Sequence, residues 1–124
     1  MVGNLRSVIR RAPSGSRVQL HPTAEHLTVA VVGDLDGPTT RDLAAILSRA
    51  VERGGRAIQL DLSQVSFIGT GGAVALAAAA AAADRLGAPL VIVKASNAAR
   101  RALEAAGLAS MVMPAPAPLV VDVR

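Results

Sequence analysis

Cysteine is absent from the 124 residues, which excludes a disulfide framework, thiol catalysis and a thiolate metal site. Tryptophan and tyrosine are absent too, and Phe67 is the single aromatic residue. The core must therefore be built from Leu, Ile, Val and Ala through many small contacts, and no aromatic platform exists on which bases or sugars could stack. The two histidines, His21 and His26, stand far in sequence from other good ligands, so no metal or cofactor is expected. Lysine is almost missing: Lys94 is alone, and the net charge of +4 is carried by arginine. That charge is scattered, with Arg6, Arg10, Arg11 and Arg17 in a basic first segment and Arg100 and Arg101 side by side later. Without a DNA-binding motif it reads as solvated surface, and no nucleic-acid partner is expected.

Long apolar runs are equally scarce. The basic first residues are not followed by an apolar stretch of the kind a signal peptide needs. Leu62 to Ala83 carries no charge over a membrane-spanning length. Its first half, however, is filled by Ser63, Gln64, Ser66, Gly69, Thr70, Gly71 and Gly72, and its second by alanine, which contributes too little to insertion. The stretch reads as strand, turn and helix of a cytoplasmic protein with no membrane partner.

What is present is an alternation of strand and helix patterns within one domain's length. Residues 1–16 read as a flexible basic arm ending in the turn Pro13-Ser14-Gly15-Ser16, residues 17–113 as the domain, and residues 114–124 as a Pro-rich linker and tail. Val18 and Leu20 alternate as in a short edge strand, and Leu27 to Val32 is a β-branched run for a central one. Gly33 to Pro38 ends it in a tight loop. Leu43, Ile46, Leu47, Ala50 and Val51 then recur at helical spacing, with Pro38 suited to the first turn and Gly54-Gly55 to the end.

Ala57 to Leu62 forms the next strand, with Ile58, Leu60 and Leu62 on one face. A second helix runs from about Gly72 to Leu86 and stops at Gly87. Leu90 to Val93 is uninterruptedly apolar, as in a strand inside a sheet and covered on both faces. Ser96 caps a third helix, in which Ala99, Ala102, Leu103 and Ala106 line one side before Gly107. Such alternation predicts an α/β fold with a largely parallel sheet.

One short segment carries the functional expectation. Gly69-Thr70-Gly71-Gly72 falls where a buried strand stops and an alanine-rich helix begins, so a lone hydroxyl is displayed at a helix N-terminus beside bare backbone. Thr70 can cap that helix, and a phosphate there would meet free N–H groups and the positive end of the dipole. Asp34 and Asp36 are read as turn and cap residues that also present carboxylates. Catalytic motifs are missing. Val74 stands where a dinucleotide fingerprint needs its third glycine, no Gly-Lys-Ser/Thr follows, no Gly-x-Ser-x-Gly elbow occurs, and no histidine is placed to serve Thr70 as base. The aspartates are too close in sequence to flank a sugar bond, and an enzyme is not expected.

These segments resemble a known family. Gly33-Asp34-Leu35-Asp36 ahead of a helix, Leu60-Asp61-Leu62-Ser63-Gln64-Val65-Ser66-Phe67-Ile68, the Gly-Thr-Gly-Gly turn, Ala88 to Val93 and Ala98 to Leu108 are similar, in order and spacing, to the STAS domain of bacterial anti-sigma factor antagonists. The resemblance covers roughly residues 27–113. It implies a mixed, mainly parallel sheet of four or five strands with helices packed on it. It also implies partner switching: the unmodified form binds an anti-sigma factor with a histidine-kinase-like ATPase fold and frees a sigma factor, and phosphorylation at the helix N-terminus ends the interaction.

The family's loop reads Asp, acceptor Ser or Thr, Ser or Thr, Gly. Carried over, these fall on Gly69, Thr70, Gly71 and Gly72, so the acid and the second hydroxyl are replaced. The family's earlier Glu-Leu-Asp appears as Asp34-Leu35-Asp36. The resemblance thus implies phosphorylation at Thr70 and a partner-binding surface of Asp34, Asp36, Gly69, Thr70, Gly71 and Gly72, on a monomer or weak dimer. The alternatives are a phosphorylation-independent scaffold or small-anion sensor with a degenerate switch loop, and an enzyme without a recognisable motif.

Overall fold

The computed structural model describes residues 8–11, 16–54, 57–87 and 90–112. Five strands and three helices follow in the order β1 (Val8–Arg11), β2 (Arg17–Pro22), β3 (His26–Leu35), α1 (Gly37–Arg53), β4 (Ala57–Ile68), α2 (Thr70–Leu86), β5 (Leu90–Ala95) and α3 (Asn97–Ala105), then a 3-10 turn at Ala109–Met111. The strands lie in one sheet in sequence order. β1, β2 and β3 are antiparallel, whereas β3, β4 and β5 are parallel because α1 and α2 carry the chain back between them. The α/β class and the mixed sheet expected above are thus present.

Apolar periodicity holds in α1, where Leu43, Leu47 and Val51 are buried and Ile46 and Ala50 pack against them. Their partners in the core are Val29, Val31 and Leu35 of β3 and the inward residues of β4. Pro38 lies in the first turn of α1, where its missing N–H costs no helical bond. Gly87 closes α2 with a left-handed φ of 71°. Ser96 caps α3, accepting from the Ala99 N–H at 3.0 Å and donating to the Val65 carbonyl at 2.6 Å.

Several sequence expectations are corrected. Val8–Arg11, expected within a loose arm, pairs with β2 as the outer strand, and this makes β2 an interior strand rather than an edge. Ser16 is likewise part of the domain: it is buried, and its Oγ accepts the Asp34 N–H at 2.9 Å. β3 does not end in a loop at Gly33 but runs on to Leu35, with Gly33 at φ 95° beside Ser16. β5 lies at the outside of the sheet, not within it. Only Ile92 of its apolar run is fully buried, and its outer side carries an isolated parallel bridge to Val112. Ala106 is exposed and lies just past the end of α3 at Ala105. Residues 114–124 lie outside the described residues.

β4 is twice as long as the pattern Ala57 to Leu62 predicts. Against β3 its register shifts between Ala30 and Val32 and again between Gly33 and Asp34, so two extra residues enter β4. Each bulge inverts the side-chain alternation. Buried positions therefore pass from Ile58, Leu60 and Leu62 to Val65 and then Ile68. This places Phe67, the sole aromatic residue, outward and 51% exposed just before the Gly-Thr-Gly-Gly segment.

Candidate functional site

β3 and β4 end side by side, and the helices that follow them start together. Leu35 pairs with Ile68 at the last rung, and the Gly69 N–H donates to the Leu35 carbonyl at 3.0 Å. The Asp34-Leu35-Asp36 and Gly69-Thr70-Gly71-Gly72 segments are thereby joined through backbone. Asp36 and Gly69 are the N-cap residues of α1 and α2, and neither helix has a side-chain cap bond. The Asp36 carbonyl, not its carboxylate, receives the Thr39 N–H at 3.1 Å and the Thr40 N–H at 3.3 Å. Its carboxylate is exposed and unspent on capping.

Thr70 is correspondingly not a cap but the first residue of α2, which starts two residues earlier than Gly72. Its side chain is exposed at the helix start. Asp34 lies in β3, half-buried, with its N–H held by Ser16. Asp36 is thus the exposed one of the two aspartates and the closer to the turn.

The three glycines have different reasons to be there. A Cβ on Gly72 would lie 2.5 Å from the Leu35 carbonyl oxygen and 3.1 Å from Leu35 Cγ, so only glycine lets the first turn of α2 sit against the end of β3. At Gly69 a Cβ would approach Asp36 Cβ to 3.2 Å, close but movable. At Gly71 nothing lies within 4 Å. The glycine there leaves open space next to Thr70.

Thr70 also stands at one end of a feature that the sequence does not reveal. Between α2 and α3 runs an open groove of about 440 Å³, floored by small residues: Ala73 and Ala77 of α2, Ala102 and Ala105 of α3. Val74, 62% exposed, and Leu108 add larger apolar groups to its lining, and Ile68, Gly69 and Thr70 close the end. Alanine on both helices explains the groove, since paired larger side chains would fill it. The only available signal was the charge-free stretch from Thr70 to Ala83, which fits a buried helix equally well; in the structure only Gly72, Leu76 and Ala83 of α2 are buried.

Among the described residues no group of three His, Asp or Glu side chains could hold a metal ion. No helix among them is long and apolar enough to cross a membrane. The arrangement offers an exposed hydroxyl, a nearby carboxylate and an apolar groove, the attributes of a docking surface.

Comparison with curated proteins gives no match. Among solved structures, an anti-sigma factor antagonist from Mycobacterium paratuberculosis superposes with a TM-score of 0.69 at 26% identity, covering 86% of this chain and 92% of that one. The anti-sigma factor antagonist SpoIIAA in its unphosphorylated form gives 0.69 at 20% identity over 77% and 85%. Phosphorylated SpoIIAA, the Bacillus cell fate determinant, gives 0.64 at 20% identity over 77% and 88%. A family model described as "Mlab, STAS domain" matches residues 18–121. With that match across most of its length and with the fold of the anti-sigma factor antagonists, this chain belongs to the STAS domain family.

Proposed function

We propose that the chain is an anti-sigma factor antagonist that docks an anti-sigma factor of histidine-kinase-like ATPase fold on the surface around Thr70, and that phosphorylation of Thr70 releases it. The observation that carries this reading is the exposure of Thr70 at the start of α2, between Asp36 and the apolar groove. A phosphoryl group there adds about −1.5 to −2 charge at neutral pH. The helix N-terminus accommodates such a charge within the folded chain. The same charge at the mouth of an apolar groove, beside the Asp36 carboxylate, opposes close docking. The fold survives and the complex does not.

Incubation of the purified protein with a cognate kinase and ATP, read by mass spectrometry and by co-purification, tests the proposal. Thr70→Glu is expected to fold normally and bind weakly, and Thr70→Ala to bind without being released by ATP. Restoring an acid with Gly69→Asp should increase phosphorylation, its Cβ requiring only a small shift at Asp36.

A second reading is favoured by Gly69 and Gly71, which stand where the resembling family has an acid and a second hydroxyl: a STAS scaffold or small-anion sensor that binds without being modified. It is adopted if Thr70 stays unmodified under conditions that label another antagonist while binding persists. On either reading the chain acts by binding rather than catalysis, in the cytoplasm.

A further inference from the structure

Three large apolar side chains are exposed among the described residues: Phe67, Val74 and Leu86. Single exposed aliphatic groups are ordinary on protein surfaces, but these are not scattered. Phe67 lies just before Thr70 and Val74 one helical turn after it, whereas Leu86 stands at the far end of α2. The buried core is aliphatic throughout, so the one aromatic ring of the chain is placed outside it.

β4 stands between β3 and β5, and the two apolar groups fall on different sides of the residue it delivers. Val74 lines the groove towards α3. Phe67 lies towards β3: it pairs in register with Asp34, and a Cβ on Gly69 would meet its Cε2 at 3.5 Å and Asp36 Cβ at 3.2 Å. The ring therefore rests alongside residue 69, and its surroundings are polar, with Asp36, Ser66 and Thr70 all exposed. An aromatic centre inside a polar rim is the layout of an anchor in a protein–protein interface. The carboxylates of Asp34 and Asp36 near the ring oppose nucleic acid and anionic lipid, since both carry negative charge.

We infer that Phe67 is the anchoring side chain of the partner interface, seated in an apolar pocket of the anti-sigma factor on the Asp36 side of Thr70 while Val74 is covered on the groove side. This assignment rests on the docking surface proposed above. It puts Thr70 at the centre of the contact rather than at its margin. A phosphoryl group there would be shut away from water beneath the partner, where an uncompensated charge is most costly.

Phe67 carries the only ring in the chain, so selective labelling gives a single set of ring signals. The probe is the purified histidine-kinase-like anti-sigma factor with which the parent chain forms its complex. In that complex the ring protons are expected to show nuclear Overhauser contacts with methyl groups of the partner. Phe67→Ala should raise Kd about 30-fold or more, the loss typical of a truncated aromatic anchor. Phe67→Leu should raise it by less and Leu86→Ala not at all, with binding scored where denaturation curves show each variant folded. A ring without partner contacts, a Phe67→Ala Kd within about threefold of the parent's, or equal weakening by Leu86→Ala would overturn the assignment and leave the proposed function standing. A parent chain that forms no complex with such a kinase would instead overturn the proposed function, and the anchor with it.

Discussion

Exchanging Gly72 for alanine should destabilise the protein, while the same exchange one residue earlier should not, although both positions lie in the first turn of α2. In helix interiors alanine is favoured over glycine by about 1 kcal/mol, so propensity alone predicts stabilisation at both positions. At Gly71 no atom lies within 4 Å of the new Cβ, and the full or partial gain is expected. At Gly72 the Cβ would stand 2.5 Å from the Leu35 carbonyl oxygen, 3.1 Å from Leu35 Cγ and 3.3 Å from Ile68 Cγ2. Carbon–oxygen contacts ordinarily sit at ~3.3 Å or beyond, so helix and strand must separate by roughly 0.8 Å.

Neither side can yield easily, because the same carbonyl accepts the Gly69 N–H and the side chain belongs to the buried core. Overpacking of this kind costs about 1–3 kcal/mol, which exceeds the propensity gain. The two variants should therefore differ by about 2 kcal/mol, with Gly71→Ala at or above the parent and Gly72→Ala below it. Urea denaturation of the parent and both variants measures this directly. A Gly72→Ala midpoint equal to or above that of the parent would refute the packing argument for this glycine.

Ile92→Ala should cost about 2–5 kcal/mol by denaturant midpoint despite its place in an outer strand, because its side chain is fully buried against the core. Ser96→Ala removes both the α3 cap and the bond to the Val65 carbonyl, and should lower stability by about 1–2 kcal/mol with unfolding still cooperative. Asp36→Ala should leave stability within about 0.5 kcal/mol of the parent, since the carboxylate makes no cap bond. In a pull-down with the cognate anti-sigma factor, both Asp36→Ala and Asp36→Asn should be weakened; loss of stability without loss of binding would make Asp36 only a helix-start residue.

Much of the fold is legible from local pattern. The 3.6-residue stripe of α1, the Ser96 cap and the Gly87 stop depend on interactions within a few residues, and each is found where the pattern puts it. The Gly-Thr-Gly-Gly segment was readable as an exposed hydroxyl at a helix start for the same reason. Its detail was not. Whether Thr70 caps α2 or begins it, and whether each glycine is obligatory or free, depends on the carbonyl of Leu35, thirty-odd residues away in sequence.

The second half of β4 was hidden by two bulges, whose extra residues break the period that identifies a strand. An apolar run such as Leu90 to Val93 fits equally a strand with neighbours on both sides and one at the edge with helices over it, and only the sheet order separates these cases. The sequence by itself determined the three helices, the stops of α1 and α2, the cap of α3 and the alternation of strand and helix from β3 onward, because those follow from hydrogen bonds and side-chain periodicity along the chain. Tertiary structure alone decided the sheet edges, the outward turn of Phe67 and the groove beside Thr70. These depend on what one segment finds opposite it after folding.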